Sequence, residues 1–356
     1  MSILFRYVIK EILGATLLAL LALTALFSFF DFISELSDAH TDSYTPLMAS
    51  LFVAMNVPAR LYELVPLALL VGGLFAWNRL ALASEFTVMR AGGLATARLA
   101  TWMLGLGLSI GFATLLLGEY VIPMAERAAQ QLKLRSTSGV VAQEFQTGLW
   151  AKDGRTFINI RELRPDASLV DVRLFEFDTD FHLRALRRAE SGEWRDGEWH
   201  LRGVTQTIIG ETGTRTSVLE TMTWASAVTP DLLAVLMVAP ERMAITTLSA
   251  YVDHLLENHQ DAERYRLALW GKLAYPVAAP VMLLLALAFA FRPPRVGGAG
   301  GRLLSGILLG LGFHLLNRMS AQVAQLQDWP APVAALAPIL AFSLAAGLTL
   351  WWMERR

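Results

Sequence analysis

Two groups of side chains in this sequence have the types and spacing to do chemistry or mechanical work. The first is Ser84-Glu85-Phe86-Thr87-Val88-Met89-Arg90-Ala91-Gly92-Gly93. It reads as a short helix. Ser84 can cap its start, Glu85 suits the positive end of the helix dipole, and Gly92 can end it. Phe86 and Met89 are three apart and share a face, so they are expected to stand as apolar knobs outside the membrane. Two uses fit: an interfacial helix lying on lipid, or a coupling helix seated in a groove of a motor protein. The second group is His314, Arg318, Gln322 and Gln325, at helical spacing in a largely apolar stretch. Ionisable groups there are costly and face a cavity, a partner or headgroups. Arg318 either snorkels to the surface or meets an anionic headgroup.

Catalytic constellations do not appear. There is no G-x-x-x-x-G-K-[ST], no H-E-x-x-H and no G-x-S-x-G. The glycine-rich run Gly297-Gly298-Ala299-Gly300-Gly301 lacks a P-loop lysine and reads as a connector. Six scattered histidines show no metal-ligand spacing, and the absence of cysteine excludes disulfides and thiolate chemistry. A net charge of -1 offers nothing for nucleic acid. Neither a bound cofactor nor a metal is expected.

The elements that must position these residues are mostly membrane spans. The 356 residues are 54% hydrophobic and 17% charged, against about 25% charged in a soluble domain. Six apolar stretches come as three, a long polar gap, and three more: Ile12 to Phe30, Leu64 to Trp77 with a lead-in from Pro58, Leu99 to Leu117, Leu267 to Phe291, Leu303 to Val323, and Ala331 to Met353. A helix of about 19 residues crosses the ~30 Å hydrocarbon core. The first stretch is too long for a signal core and no small-x-small site follows, so it reads as retained. Arg6, Lys10, Arg79, Arg90, Arg98, Arg292, Arg295, Arg302, Arg355 and Arg356 fall on one side. That side is the cytoplasm by the positive-inside rule, which puts both termini there and the insert opposite.

The insert begins with a helix continuing the third span, from Met124 to Arg135, and then turns to strands. Thr156 to Ile160 and Val170 to Phe177 alternate, and Asp153-Gly154 and Asp196-Gly197 are hairpin dipeptides. Glu193 to Leu201 reads as one hairpin with a tryptophan on each arm. A sandwich or jelly-roll-like sheet suits such strands. Ile245 to His259 then forms an amphipathic helix with Leu248, Tyr251, Val252 and Leu255 on one face. The expected division is 1–135 for spans one to three, with the coupling helix at 84–93. Residues 136–230 form the β domain, 231–262 a helical connector, and 263–356 spans four to six. Pro276 and Pro280 are expected to kink the fourth span. Gly107-x-x-x-Gly111 and Gly306-x-x-x-Gly310 permit close helix contact, a weak pointer to a partner. Lys272 and Glu119, near outer span ends, read as structural salt-bridge formers.

Four strings carry a resemblance: Ser84-Glu85-Phe86-x-Val88-Met89-Arg90-Ala91-Gly92, Gly118-Glu119-Tyr120-Val121-x-Pro123, Gly148-Leu149-Trp150-Ala151-Lys152-Asp153-Gly154 and Arg264-Tyr265-x-x-x-x-Trp270-x-Lys272. In this order, on this topology, the chain resembles the LptF/LptG (YjgP/YjgQ) permease family over essentially its whole length. The third string is most like the LptG branch. These are membrane subunits of the ABC transporter that extracts lipopolysaccharide from the Gram-negative inner membrane. The resemblance implies an α-helical polytopic membrane protein of six transmembrane helices with an inserted all-β periplasmic jelly-roll domain. It implies two copies of the ATPase LptB, which use ATP and Mg. It further implies the partner permease LptF, and a jelly roll of the kind shared with LptC and the LptA bridge.

Site residues follow from the same resemblance. Ser84, Glu85, Phe86, Val88, Met89, Arg90 and Gly92 would couple to the ATPase. Lys133 matches a family position that contacts lipopolysaccharide phosphate, with Arg127 and Arg135 close by; a solvated helix face is the alternative. Phe27, Phe29 and Phe30 would face acyl chains, the partner permease or plain lipid. Where relatives carry lysines at the outer end of the first span, this chain has Asp31, Ser34 and Asp38, which disfavours direct phosphate contact there. Rival readings are an LptF-type role, export of another amphiphile, a membrane enzyme acting on lipid, and a structural scaffold.

Overall fold

The computed structural model describes residues 3–38, 45–136, 148–164, 168–210, 213–235, 239–290, 298–327 and 329–354. Its long helices are α1 (Ile3–Asp38), α2 (Pro46–Leu82), α4 (Thr96–Leu116), α8 (Glu263–Ala290), α9 (Gly298–Gln327) and α10 (Ala331–Glu354), with α3 (Glu85–Ala91) between α2 and α4. Among the described residues, five of them are long and apolar enough to cross a bilayer. α9 has the length and carries His314, Asn317 and Arg318 among apolar residues. α2 and α8 are mostly buried, whereas α1, α4 and α10 expose most of their apolar surface. Trp77, Leu69, Leu70, Ile12 and Met103 are fully enclosed in the core between them.

Prolines and glycines decide how these helices meet. Pro66 has no N–H to offer the Tyr62 carbonyl one turn earlier. The Tyr275 hydroxyl of α8 fills the vacancy, donating to that carbonyl at 2.6 Å while its ring stacks on Tyr62 at 4.4 Å. Pro338 likewise leaves the Ala334 carbonyl free, and Ser320 Oγ donates to it at 2.7 Å. In a membrane each such orphan needs an internal partner. A Cβ at Gly107 or Gly111 would collide with Pro280 or Pro276 of α8, and one at Gly306 or Gly310 with Leu74 or Leu67 of α2. Both G-x-x-x-G motifs are therefore used inside this chain rather than by a partner.

α4 runs through a five-residue π-helical stretch, Leu117–Val121, into α5 (Ile122–Ser136). Pro123 cannot donate to the Glu119 carbonyl, which favours the wider turn here. Gly118 lets the Tyr62 ring approach to where its Cβ would be only 2.9 Å away.

The β domain is one antiparallel sheet: β1 (Leu149–Asp153), β2 (Thr156–Leu163), β3 (Leu169–Phe177), β4 (Leu183–Arg195), β5 (Glu198–Gly210) and β6 (Gly213–Trp224). Its order is β1-β2-β3-β4-β5-β6. The inserted all-β domain is present, but its described strands form a meander without the Greek-key crossovers that define a jelly roll. Short turns of Gly154-Arg155 and Asp196-Gly197 join neighbours directly, and Trp194 pairs with Trp199 across the predicted hairpin. One face packs Ile158, Ile160, Val172, Leu174, Trp199 and Leu201 under Val228 and Leu233. Leu233 belongs to α6 (Pro230–Val235). Trp199 donates its indole N–H to the Val228 carbonyl at 2.8 Å.

A 3-10 turn (Pro240–Arg242) and α7 (Ile245–Glu257) return the chain to α8. α7 buries the four predicted residues, Leu248, Tyr251, Val252 and Leu255. Glu119 of the π stretch accepts from Ile245 N at 2.7 Å and Thr246 Oγ1 at 3.0 Å, capping the N-terminus of α7. Lys272, buried, donates to the Met243 carbonyl. The expected salt bridging of these two residues is thus replaced by a helix cap and a carbonyl contact. At the other end of α7, Asn258 receives Lys152 Nζ on its carbonyl at 2.9 Å and Gly154 N on Oδ1 at 2.8 Å.

Candidate functional site

At the end of the bundle away from the sheet, α2, α3 and the start of α1 form one polar corner. Ser84 turns the chain with φ of 61°, a left-handed conformation, and makes no side-chain cap. That corrects its expected role: its backbone, not its hydroxyl, starts the helix, and its carbonyl accepts Val88 N at 3.1 Å. At the far end Gly93, with φ of 86°, is the left-handed residue, and Gly92 precedes it as the C-cap. Gly93 N donates to the Arg90 carbonyl and Leu94 N to the Met89 carbonyl, a Schellman closure sealed by buried Leu94.

The apolar residues of α3 divide differently from expectation. Phe86 is 6% exposed and meets Trp77 edge-on at 5.8 Å. It is an anchor in the helical core, not an outward knob, because α3 folds back under α2. Met89 is partly buried against the same core. Val88, 68% exposed, and the Thr87 and Arg90 side chains make the outer face. Glu85 accepts a hydrogen bond from the Tyr7 hydroxyl of α1 at 2.7 Å, and Glu11, one turn further, pairs with Arg79. Sequence puts Arg79 on the basic side and Trp77 at a span end but signals neither as part of this corner, and Tyr7 and Glu11 show only a four-residue spacing on one helix face.

At the sheet end, Asp31 forms a two-pronged pair with Arg60, at 2.6 Å to Nε and 2.5 Å to Nη2. Arg60 also reaches Glu63 at 2.8 Å. The acidic departure at Asp31 is therefore answered from α2, 29 residues away. A small cavity of about 70 Å³ beside this cluster is lined by Phe27, Tyr275, His314 and Asn317 among others. Arg318, Phe30 and Arg127 do not line it; all three are exposed, and Phe30 lies edge-on to Phe29 at 6.1 Å. The side chains of Lys133, Arg135 and Asp38 lie outside the described residues. The structure thus gathers the candidate coupling residues into one corner, and of the basic candidates for headgroup binding it describes Arg127 and Arg318, both exposed. The neighbouring buried cluster was not foreseen: Glu126, 4% exposed, pairs with Arg242 at 2.9 Å, and Arg242 also donates to Asn56 at 2.8 Å.

On the sheet, Asp171 is enclosed by Arg188 at 2.7 Å, Arg173 at 3.3 Å and Arg161 at 3.5 Å. Burial pushes its carboxyl up, the Arg188 and Arg173 guanidinium groups pull it down, and the result lies below the ordinary carboxylate range. Among the described residues, Asp178, Asp180 and His182 alone bring three metal-competent groups together, within 4.8 Å. Asp178 Oδ1 already accepts the Asp180 and His182 amides, so the trio reads as a hydrogen-bonded turn.

A family model described as "Lipopolysaccharide export system permease LptF/LptG" matches residues 6–355. The chain is 30% identical over 353 residues to the lipopolysaccharide export system permease protein LptG of Haemophilus influenzae, covering 99% of this chain and 98% of that protein. It is also 30% identical over 362 residues to LptG of Escherichia coli K12, covering 100% and 99%. With six long helices, an inserted antiparallel sheet and a match running from α1 to the C-terminus, the chain belongs to the LptF/LptG family of lipopolysaccharide export permeases, multi-pass membrane proteins.

Proposed function

We propose that this chain is the LptG-type subunit of an ABC transporter that extracts lipopolysaccharide from the Gram-negative inner membrane and passes it to a periplasmic bridge. The observation that carries the reading is the α3 corner. A helix of seven residues is held at a fixed angle by buried Phe86 and by the Tyr7–Glu85 bond, and it offers Val88 outward. A helix lying on lipid would turn its largest apolar side chain outward, whereas this one uses Phe86 to brace itself against α2. Force applied to its outer face passes directly into α1 and α2.

In this reading the corner seats in a groove of the ATPase LptB, one of two copies, and ATP with Mg is hydrolysed there, none of it by this chain. Both termini are cytoplasmic and the sheet is periplasmic. LptF completes a cavity too wide for one bundle to enclose, and LptC and LptA continue the path from the sheet. Phe27, Phe30, Arg318 and Arg127 are assigned to the cargo at the sheet end, and Lys133 and Arg135 keep the headgroup role that the family resemblance implies.

Affinity purification in mild detergent tests the assembly: a P-loop ATPase, a second permease and lipopolysaccharide are expected together. Glu85→Lys is expected to abolish export while the protein still inserts. A clean monomer, under conditions that preserve a known transporter, overturns the reading.

A further inference from the structure

A groove of about 890 Å³ runs between α1 and α4 at the end of the bundle that carries α3. Leu13 and Leu17 wall one side, Trp102 and Leu106 the other, and Gly14 and Gly105 form the floor. A Cβ on either glycine would meet no atom within 4 Å. The floor is open space, in contrast to Gly107, two residues on, which is pressed against Pro280. Arg6 and Lys10 line the outer end of the groove. Both are exposed, and among the described residues neither has a hydrogen-bond or ion-pair partner.

We propose that this groove is a binding site for an anionic phospholipid. Its phosphate sits between Arg6 and Lys10, and its acyl chain follows the glycine floor. Three features select this occupant. The lining runs along α1 from Phe5 to Leu17, an axial length of about 18 Å. That matches one leaflet of a hydrocarbon core ~30 Å thick and is too short for a crossing helix. The polar end is cationic, four residues apart on one helix face, and basic pockets between membrane helices take anionic headgroups. Lys10, a turn deeper than Arg6, reaches the phosphate by extending its aliphatic stem along the wall. The volume lies within the ~300–1,000 Å³ of small-ligand sites, on the scale of a headgroup and one acyl chain. The site is at the opposite end from the Asp31–Arg60 cluster, so it is separate from the proposed cargo path and does not rest on it.

Native mass spectrometry of the full-length, delipidated protein tests the proposal, with phosphatidylglycerol and phosphatidylcholine added separately. One phosphatidylglycerol per chain is expected to be retained, with phosphatidylcholine at least about tenfold weaker, a difference of about 1.4 kcal/mol. Arg6→Ala with Lys10→Ala is expected to erase that preference. Gly105→Leu fills the floor without changing charge and is expected to lower retention of both lipids while the protein stays folded. Equal retention of the two lipids, or retention unchanged in both variants, overturns the proposal. So does tighter retention of lipopolysaccharide than phosphatidylglycerol, or protection of the groove by a protein segment in crosslinking at Trp102.

Discussion

Tyr7 and Glu85 stand 78 positions apart in sequence and share one short hydrogen bond. Sequence showed Glu85 as part of a helix start, but not what holds it, because the holder sits on another helix. Tyr7→Phe keeps the ring and removes only the hydroxyl. Little change in melting temperature is expected, because the bond lies at the exposed end of the bundle. Export in reconstituted vesicles is expected to fall, with ATP hydrolysis retained, since α3 then moves without carrying α1. Equal export by Tyr7→Phe counts against the corner as a transmission point. Asp31 teaches a similar lesson. Its charge was visible and its neutraliser, Arg60, was not. Asp171 is a third case, an acid among exposed arginines whose grouping depends on strand register. Its carboxyl is held below the ordinary value of about 3.9. The stability it supplies is therefore complete above that range and drains as pH falls through the depressed value. Asp171→Asn is expected to cost about 1–2 kcal/mol, discounted for the exposed guanidinium groups, and to flatten the acid limb of unfolding.

At the scale of elements, the apolar stretches were legible because length and composition alone define them. Their ends were not: α2 begins at Pro46, well before the apolar run that signalled it, because Thr45 caps it, with its hydroxyl accepting Met48 N at 3.4 Å. The amphipathic α7 was legible at its start and along its buried face, since four apolar side chains recur at helical spacing, but it ends at Glu257, two residues before the expected His259. The glycine motifs were visible but their partners were not, since spacing is silent about which helix approaches. Two neighbouring glycines of α4 now separate sharply. Gly107→Leu drives a side chain into Pro280 and is expected to destabilise by roughly 1–3 kcal/mol or more. Gly105→Leu enters open space and is expected to leave the melting temperature unchanged or raised, because leucine favours helix. Thermal unfolding in detergent separates the two. Tyr275→Phe leaves the Tyr62 carbonyl unanswered and is expected to lower stability by about 0.5–2 kcal/mol in the membrane setting.

Across the whole molecule, the division into helices, sheet and helices followed from hydropathy. The meander order of the sheet did not, since alternation marks strands without saying how they pair. The join between sheet and bundle, made by Lys152 and Gly154, was also hidden, because Asp153-Gly154 signals only a hairpin turn. Asn258→Ala removes the Oδ1 acceptor of Gly154 N. It is expected to quicken proteolytic release of residues 149–224 without unfolding the sheet, as followed by limited proteolysis and intact mass.

That join has a mechanical consequence. α7 is fastened at its first turn to Glu119, in the widened turn that ends α4, and at its C-cap, Asn258, to Lys152 of β1 and Gly154 of the turn that follows. Thirteen residues make a strut about 20 Å long. A π-helical turn stores one surplus residue, and relaxing it would rotate everything beyond by about a quarter turn. The strut would carry such a rotation to β1, so the orientation of the sheet on the bundle is tied to the pitch of one helix.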